Sequence, residues 1–120
     1  MDMTIEQEIV AKGKTGQRVT REDIEAYIAS EHYFTAADGV EGNHSTSFSE
    51  MRDMPKALGL LTFCVLVMQN GFTVTGESAC ASPENFDADI GRKIARENAV
   101  QKVWPLMGWE LRTWISNGGL

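Results

Sequence analysis

Leu60-Leu61-Thr62-Phe63-Cys64-Val65-Leu66-Val67-Met68, then Gln69-Asn70-Gly71, then Phe72-Thr73-Val74-Thr75-Gly76-Glu77-Ser78-Ala79-Cys80, is the stretch that decides the fold. A continuous apolar run, a turn dipeptide and a second run with β-branched alternation read as two strands joined by a hairpin. Asn-Gly is the strongest short hairpin signal because both turn residues must accept positive φ. A two-residue turn pairs Gln69 with Phe72, Val67 with Val74, Val65 with Gly76, Phe63 with Ser78 and Leu61 with Cys80. One face then carries Leu61, Phe63, Val65, Val67, Phe72 and Val74, an apolar surface for helices to cover. The other mixes Leu60, Cys64, Leu66 and Met68 with Thr73, Thr75 and Glu77, which suits a subunit contact or a ligand edge. This register also sets Cys64 and Cys80 on opposite faces and excludes a disulfide between them.

Helices flank the hairpin. Downstream, Ser82-Pro83-Glu84 offers an N-cap followed by proline at the first helical position. Ile90, Ile94, Ala95, Ala99, Val103 and Trp104 keep helical spacing until Pro105 breaks or kinks the rod. A shorter helix carries Leu106, Trp109, Leu111, Trp114 and Ile115 and ends near Asn117-Gly118-Gly119. Upstream, Thr4-Ile5-Glu6-Gln7 reads as a capping box on a short helix ended by Gly13. Thr20-Arg21-Glu22-Asp23 starts a better helix, with Ile24, Tyr27 and Ile28 at helical spacing, from about Thr20 to Ser30. Between Thr35 and Pro55 the glycines, serines and threonines are loop chemistry. The expected architecture is α+β: an antiparallel, hairpin-based sheet packed with two C-terminal helices, plus an N-terminal helical extension. Residues 1–19 form a flexible or short-helical N-terminus and residues 20–120 a single domain, divided into helix (20–34), loop (35–57), hairpin (60–80) and helix pair (83–116).

A chain of 120 residues fits one core. Its 17 acids against 11 bases give a net charge of -6, which repels polyphosphate backbones and anionic membranes, so neither nucleic acid nor membrane is an expected partner. No apolar run reaches membrane-spanning length, and Met1-Asp2-Met3-Thr4-Ile5-Glu6 lacks the basic and apolar regions of a leader. The expected compartment is the cytoplasm, where Cys64 and Cys80 remain free thiols. Asn43-His44-Ser45 matches a glycosylation acceptor that this compartment leaves unmodified.

Gly76-Glu77-Ser78-Ala79-Cys80 approaches the nucleophile elbow Gly-x-Ser-x-Gly, but Cys80 replaces the last glycine and both histidines, His32 and His44, precede the serine. A plain strand is expected there, and no catalytic residue. Cys64, Cys80, His32 and His44 lack the spacing of a metal site, so neither metal nor cofactor is expected. Five residues are candidates for ligand binding. Phe86, in Asn85-Phe86-Asp87, is either a core plug at a capping turn or a ring for stacking a base. Arg92 and Arg96, four apart, either clamp a phosphate or pair with Asp89 and Glu97. Asn98 is a poor mid-helix residue that either caps a backbone group or reads a base or ribose. Trp104, Trp109 and Trp114 recur every five residues and cannot share one face of a straight helix, so at least one belongs at an interface, and a homo-oligomer is expected.

Leu61-Thr62-Phe63-Cys64-Val65-Leu66-Val67, Asn70-Gly71-Phe72, Gly76-Glu77-Ser78-Ala79-Cys80, Asn85-Phe86-Asp87, Gly91-Arg92, Asn98-Ala99 and Lys102-Val103-Trp104 resemble the phage family named after gene product 49 of a coliphage. The resemblance covers about half the chain, from Leu60 to Trp114, and implies a phage accessory protein. A hairpin-rich sheet followed by two C-terminal helices is also similar to the anti-Thoeris sponge proteins. Those assemble as dimers or hexamers and sequester cyclic ADP-ribose signals of bacterial immunity without catalysis. That resemblance implies a small nucleotide-derived ligand held at a subunit interface by an aromatic ring, amides and guanidinium groups, here Phe86, Asn85, Asn98, Arg92 and Arg96. The competing expectation is an interaction module that inhibits a host enzyme.

Overall fold

A computed structural model describes residues 3–119; Met1, Asp2 and Leu120, the outer ends of the expected 1–19 and 20–120 segments, lie outside the described residues. Three antiparallel strands stand in the order β1 (Ile28–Thr35), β2 (Leu61–Met68) and β3 (Thr73–Ala79). One long helix, α5 (Ala88–Ser116), packs on β2 and β3. The α+β expectation is borne out.

The hairpin forms where the sequence places it, but its turn holds three residues. Met68 N donates to the Phe72 carbonyl at 2.8 Å, Gly71 N donates to the Met68 carbonyl at 2.8 Å, and the Asn70 side-chain oxygen accepts from Phe72 N at 3.0 Å. Gly71 alone takes positive φ, at 87°. This is the three-residue loop that ends on a left-handed glycine. The register therefore slips by one residue from the expected one: Leu66 faces Val74 and Cys64 faces Gly76. Because side chains alternate with period two, the slip exchanges the faces. Thr62, Cys64, Leu66, Met68, Val74 and Gly76 lie buried toward the helix, and Leu61, Phe63, Val65 and Val67 are half-buried on the outer face. Cys64 and Cys80 thereby come onto one face, and both are free. Cys80 N bonds the Leu60 carbonyl, four residues beyond the Cys64–Gly76 pair, which separates the thiols by roughly 13 Å along the strand and rules out a disulfide.

Two further expectations are corrected. The helix expected over 20–34 stops at Tyr27: α2 (Arg21–Tyr27) opens on the Thr20–Asp23 capping box, and the chain then extends as β1, paired with β2 from Ile28–Met68 to Thr35–Thr62. A free edge on β2 offers this β-branched and aromatic segment a full ladder of hydrogen bonds, which outweighs its helical spacing. The loop expected over 35–57 contains α3 (Ala36–Gly42), α4 (Phe48–Arg52) and the start of a 3-10 turn (Lys56–Leu60). Thr35 with Asp38 and Ser47 with Glu50 cap the first two by reciprocal hydrogen bonds. At the N-terminus α1 (Ile5–Ala11) follows the Thr4–Gln7 box as read, buries no residue, and is tied back by an ion pair between Glu6 and Arg18.

The helix pair expected over 83–116 is a single 3-10 turn (Pro83–Asn85) followed by one unbroken helix. Asp87 is its N-cap, accepting from Asp89 N and Ile90 N. Pro105 sits inside the helix on an exposed stretch with Gln101, so water can take the carbonyl that the missing N–H leaves free. The core holds Ile24, Cys64, Leu66, Met68, Val74, Ala95, Ala99, Val100 and Val103. All of its helical residues from α5 precede Pro105. At 1.5 Å per residue the 29-residue helix is about 44 Å long, while an eight-residue strand spans about 27 Å, so the last turns of α5 overhang the sheet.

Candidate functional site

The five sequence-predicted residues do not converge within the chain. Arg96 turns toward β1: its Nε donates to Glu31 at 2.7 Å and its terminal nitrogens meet Glu25 at 2.8 and 3.0 Å. Asn98 turns the opposite way and donates its amide to the Glu77 carbonyl of β3 at 2.9 Å, the backbone-capping alternative. Phe86 is half-buried, with its ring edge 3.9 Å from the place a side chain on Gly91 would occupy. Asn85 and Arg92 are exposed near the start of α5.

The glycine of Gly76-Glu77-Ser78-Ala79-Cys80 is explained by packing. A Cβ on Gly76 would stand 2.2 Å from the Ala95 carbonyl oxygen and 2.3 Å from Ala99 N. Here β3 and α5 meet backbone to backbone, and Gly76, Ala95 and Ala99 are small because nothing larger fits. Ser78 lies in β3, as the strand reading expects.

The ionic frame around Arg96 joins three elements. Arg21 donates to both Glu97 oxygens at 3.0 and 2.8 Å and approaches Glu25 at 3.7 Å. Hydrogen bonds from Arg96 hold the Glu25 carboxyl below its usual range, and those from Arg21 do the same for Glu97. The two guanidiniums are shifted upward by their carboxylate partners. Nearby, burial pushes the Tyr33 phenol up to about 12 and raises the Cys64 thiol, which keeps the thiol protonated and unreactive at neutral pH. Cys80 donates its S–H to the Ser82 carbonyl at 3.0 Å. Among the described residues no three His, Cys, Asp or Glu side chains gather as a metal site.

An open groove of about 1090 Å³ lies elsewhere, where the overhang of α5 faces α2 and the hairpin tip. Tyr27, Met68, Val103 and Met107 line it with Phe72, Trp109 and Trp114, and Arg18, Asn70 and Asn117 supply polar groups. Arg18 Nε is buried and has no hydrogen-bond partner. A buried guanidinium donor without an acceptor is uncommon, because leaving it unmade costs about 1 to 3 kcal/mol. Sequence reasoning places at least one of Trp104, Trp109 and Trp114 at an interface, and two of them, Trp109 and Trp114, line this groove. It missed Arg18, Tyr27, Asn70 and Phe72, which only tertiary folding brings to the same place and which share no spacing.

Nothing among the curated proteins or the solved structures matches this chain. A family model does match, over residues 19–115, which run from just before α2 almost to the end of α5. The chain belongs to the Phage protein (N4 Gp49/phage Sf6 gene 66) family.

Proposed function

We propose that this phage accessory protein acts without catalysis, as a sponge that binds a nucleotide-derived immune signal of the cyclic ADP-ribose class and withholds it from the host. The observation that supports this reading is the groove under the α5 overhang. Small-molecule sites typically enclose about 300 to 1,000 Å³ and combine apolar walls with a few convergent polar groups, and the groove has that character. Tyr27, Phe72, Trp109 and Trp114 offer faces on which a purine ring stacks. Arg18 brings a guanidinium to the groove whose Nε is sealed and whose terminal nitrogen holds Glu6, so a phosphate oxygen would engage it by displacing Glu6, and Asn70 and Asn117 have amides suited to a base edge.

Isothermal titration with cyclic ADP-ribose isomers and cyclic oligonucleotides tests the reading. Binding at micromolar concentration or below is expected for at least one, and Arg18→Ala and Trp114→Ala should each weaken it at least about tenfold, roughly 1.4 kcal/mol. Phe86→Ala and Asn98→Ala should leave affinity unchanged. If instead Phe86→Ala and Arg92→Ala weaken binding and Trp114→Ala does not, the ligand sits at the start of α5. No heat with any of these compounds sinks the reading.

A second reading, an interaction module that inhibits a host enzyme, is favoured by the outer sheet face. Phe63, Val65 and Val67 are half-open there, between Ser30 and His32 of β1 and Thr73, Thr75 and Glu77 of β3. One stoichiometric host protein, retained by wild type and lost from Val65→Lys, would favour it.

A further inference from the structure

We infer that the groove selects a small ligand whose ring carries a positive charge. The inference rests on the groove being the ligand site proposed above, and it narrows what that site accepts. The two helical walls repeat one arrangement, a carboxylate one turn before an aromatic ring. On α2 these are Asp23 and Tyr27, and on α5 they are Glu110 and Trp114, each pair four residues apart and each residue lining the groove. Phe72 and Trp109, exposed at 57% and 78%, add two further rings.

Charge decides which kind of ring fits. Among the described residues Arg18 is the one base that lines the groove, and Glu6 already neutralises it. Asp23 and Glu110 have no such partner. Among the described residues neither makes an ion pair, and Asp23 only accepts the Thr20 N–H as part of a helix cap. Two uncompensated carboxylates therefore stand beside four aromatic rings. The face of an aromatic ring is itself electron-rich, so rings and carboxylates favour the same sign of ligand. A neutral ring gains from stacking alone, and a bare anion is opposed by both carboxylates. A cationic ring gains on both counts. The rings are open to receive it, since among the described residues the stacked aromatic pair is Phe34 with Phe63 on the outer sheet face. The net charge of -6 also draws cations toward the chain. A phosphate attached to such a ring takes the place of Glu6 on Arg18, so a zwitterionic nucleotide meets both signs of charge in the groove.

Heteronuclear NMR of the full chain, read at the indole N–H signals of Trp109 and Trp114, tests the inference with two probes. Ring-methylated nicotinamide is a fixed cation, and nicotinamide itself is its neutral counterpart. The cation should bind at least about fivefold more tightly, within what a cation gains over aromatic faces at partly open sites. Glu110→Gln and, separately, Asp23→Asn should reduce that preference at least about twofold, the loss of one screened charge, while circular dichroism keeps the wild-type helix content. Asparagine retains an oxygen for the Thr20 N–H. Equal binding of the two probes overturns the inference, as does a preference that survives both substitutions or the absence of any indole shift at millimolar probe. So does a trimethyllysine peptide that binds more tightly than the methylated probe, which would give the groove to a protein side chain. Neither probe carries a phosphate, so the outcome separates from that of the sponge reading. A cation preference without binding of any cyclic nucleotide sinks the sponge and leaves the cation site, while cyclic ADP-ribose binding without a cation preference does the reverse.

Discussion

The two halves of α5 share one helix and have opposite surfaces. Before Pro105 the residues facing the sheet are small, Gly91, Ala95 and Ala99, and the helix sinks until its backbone touches β3 at Gly76. After Pro105 the residues include Leu106, Trp109, Trp114 and Ile115, each exposed by more than a third, and only the Met68 end of β2 and the hairpin tip face this half across the groove. The first half gains stability from close approach and tolerates no added atom; the second carries its apolar area outward. An exposed tryptophan at the end of an anchored helix is costly to solubility, and this is why the overhang, rather than the motif-bearing half, is where binding is proposed.

The sharpest way to break the contrast is Gly76→Ala. The added methyl meets backbone atoms of Ala95 and Ala99 that cannot step aside without lifting the helix. The loss should exceed about 4 kcal/mol, a large part of the 5 to 15 kcal/mol that typically holds a domain. A denaturation midpoint close to wild type would mean that helix and strand do not meet as described.

Next is the ionic frame that ties the first half to α2 and β1. Arg96→Met should cost about 1 to 2 kcal/mol, since it strips Glu25 and Glu31 of their partner at a site only partly open to water. The Glu25 and Glu97 carboxyls are held low in the folded protein, so their contribution is present above the ordinary glutamate value, about 4.3, and fades as pH falls through the depressed folded values. Urea titrations between pH 7 and pH 3 should show stability falling in that acid window, with a smaller fall in Arg96→Met. An equal fall in both would detach the frame from the acid response.

Pro105→Ala sharpens the comparison at its boundary. Restoring the missing N–H should stabilise the helix by about 1 kcal/mol, less than the full 3 kcal/mol of an ideal interior because this stretch is exposed. A calorimetric melt that moves down would show that the proline positions the overhang by strain.

The smallest effect belongs to the overhang itself. Trp109→Ala should change stability by less than about 0.5 kcal/mol, because the ring is 78% exposed and has little of its own chain to pack against. A loss of several kcal/mol would place that ring in the core of a single chain.

Local chemistry is legible without a structure. The apolar run and Asn70-Gly71 locate the hairpin, Thr4-Gln7 and Thr20-Asp23 mark helix starts through caps that act over four residues, and the spacing from Ile90 to Trp104 reveals the body of α5. Thr35-Asp38 and Ser47-Glu50 carried the same signal inside what reads as loop. What local chemistry leaves open, long-range contact decides. Whether the turn holds two residues or three depends on which strand face the helix can reach. Gly76 must lie under Ala95 and Ala99, and only the three-residue turn puts it there together with Cys64, Leu66 and Val74. Residues 28–35 can wind or extend, and the free edge of β2 selects the strand. Arg96 and Asn98 look like a ligand pair on paper, and their neighbours Glu25, Glu31 and the Glu77 carbonyl arrive from 71, 65 and 21 residues away. Propensity and capping act within a turn of chain, whereas register, burial and a side chain's partner are settled by the free energy of surfaces that meet only when the chain has folded.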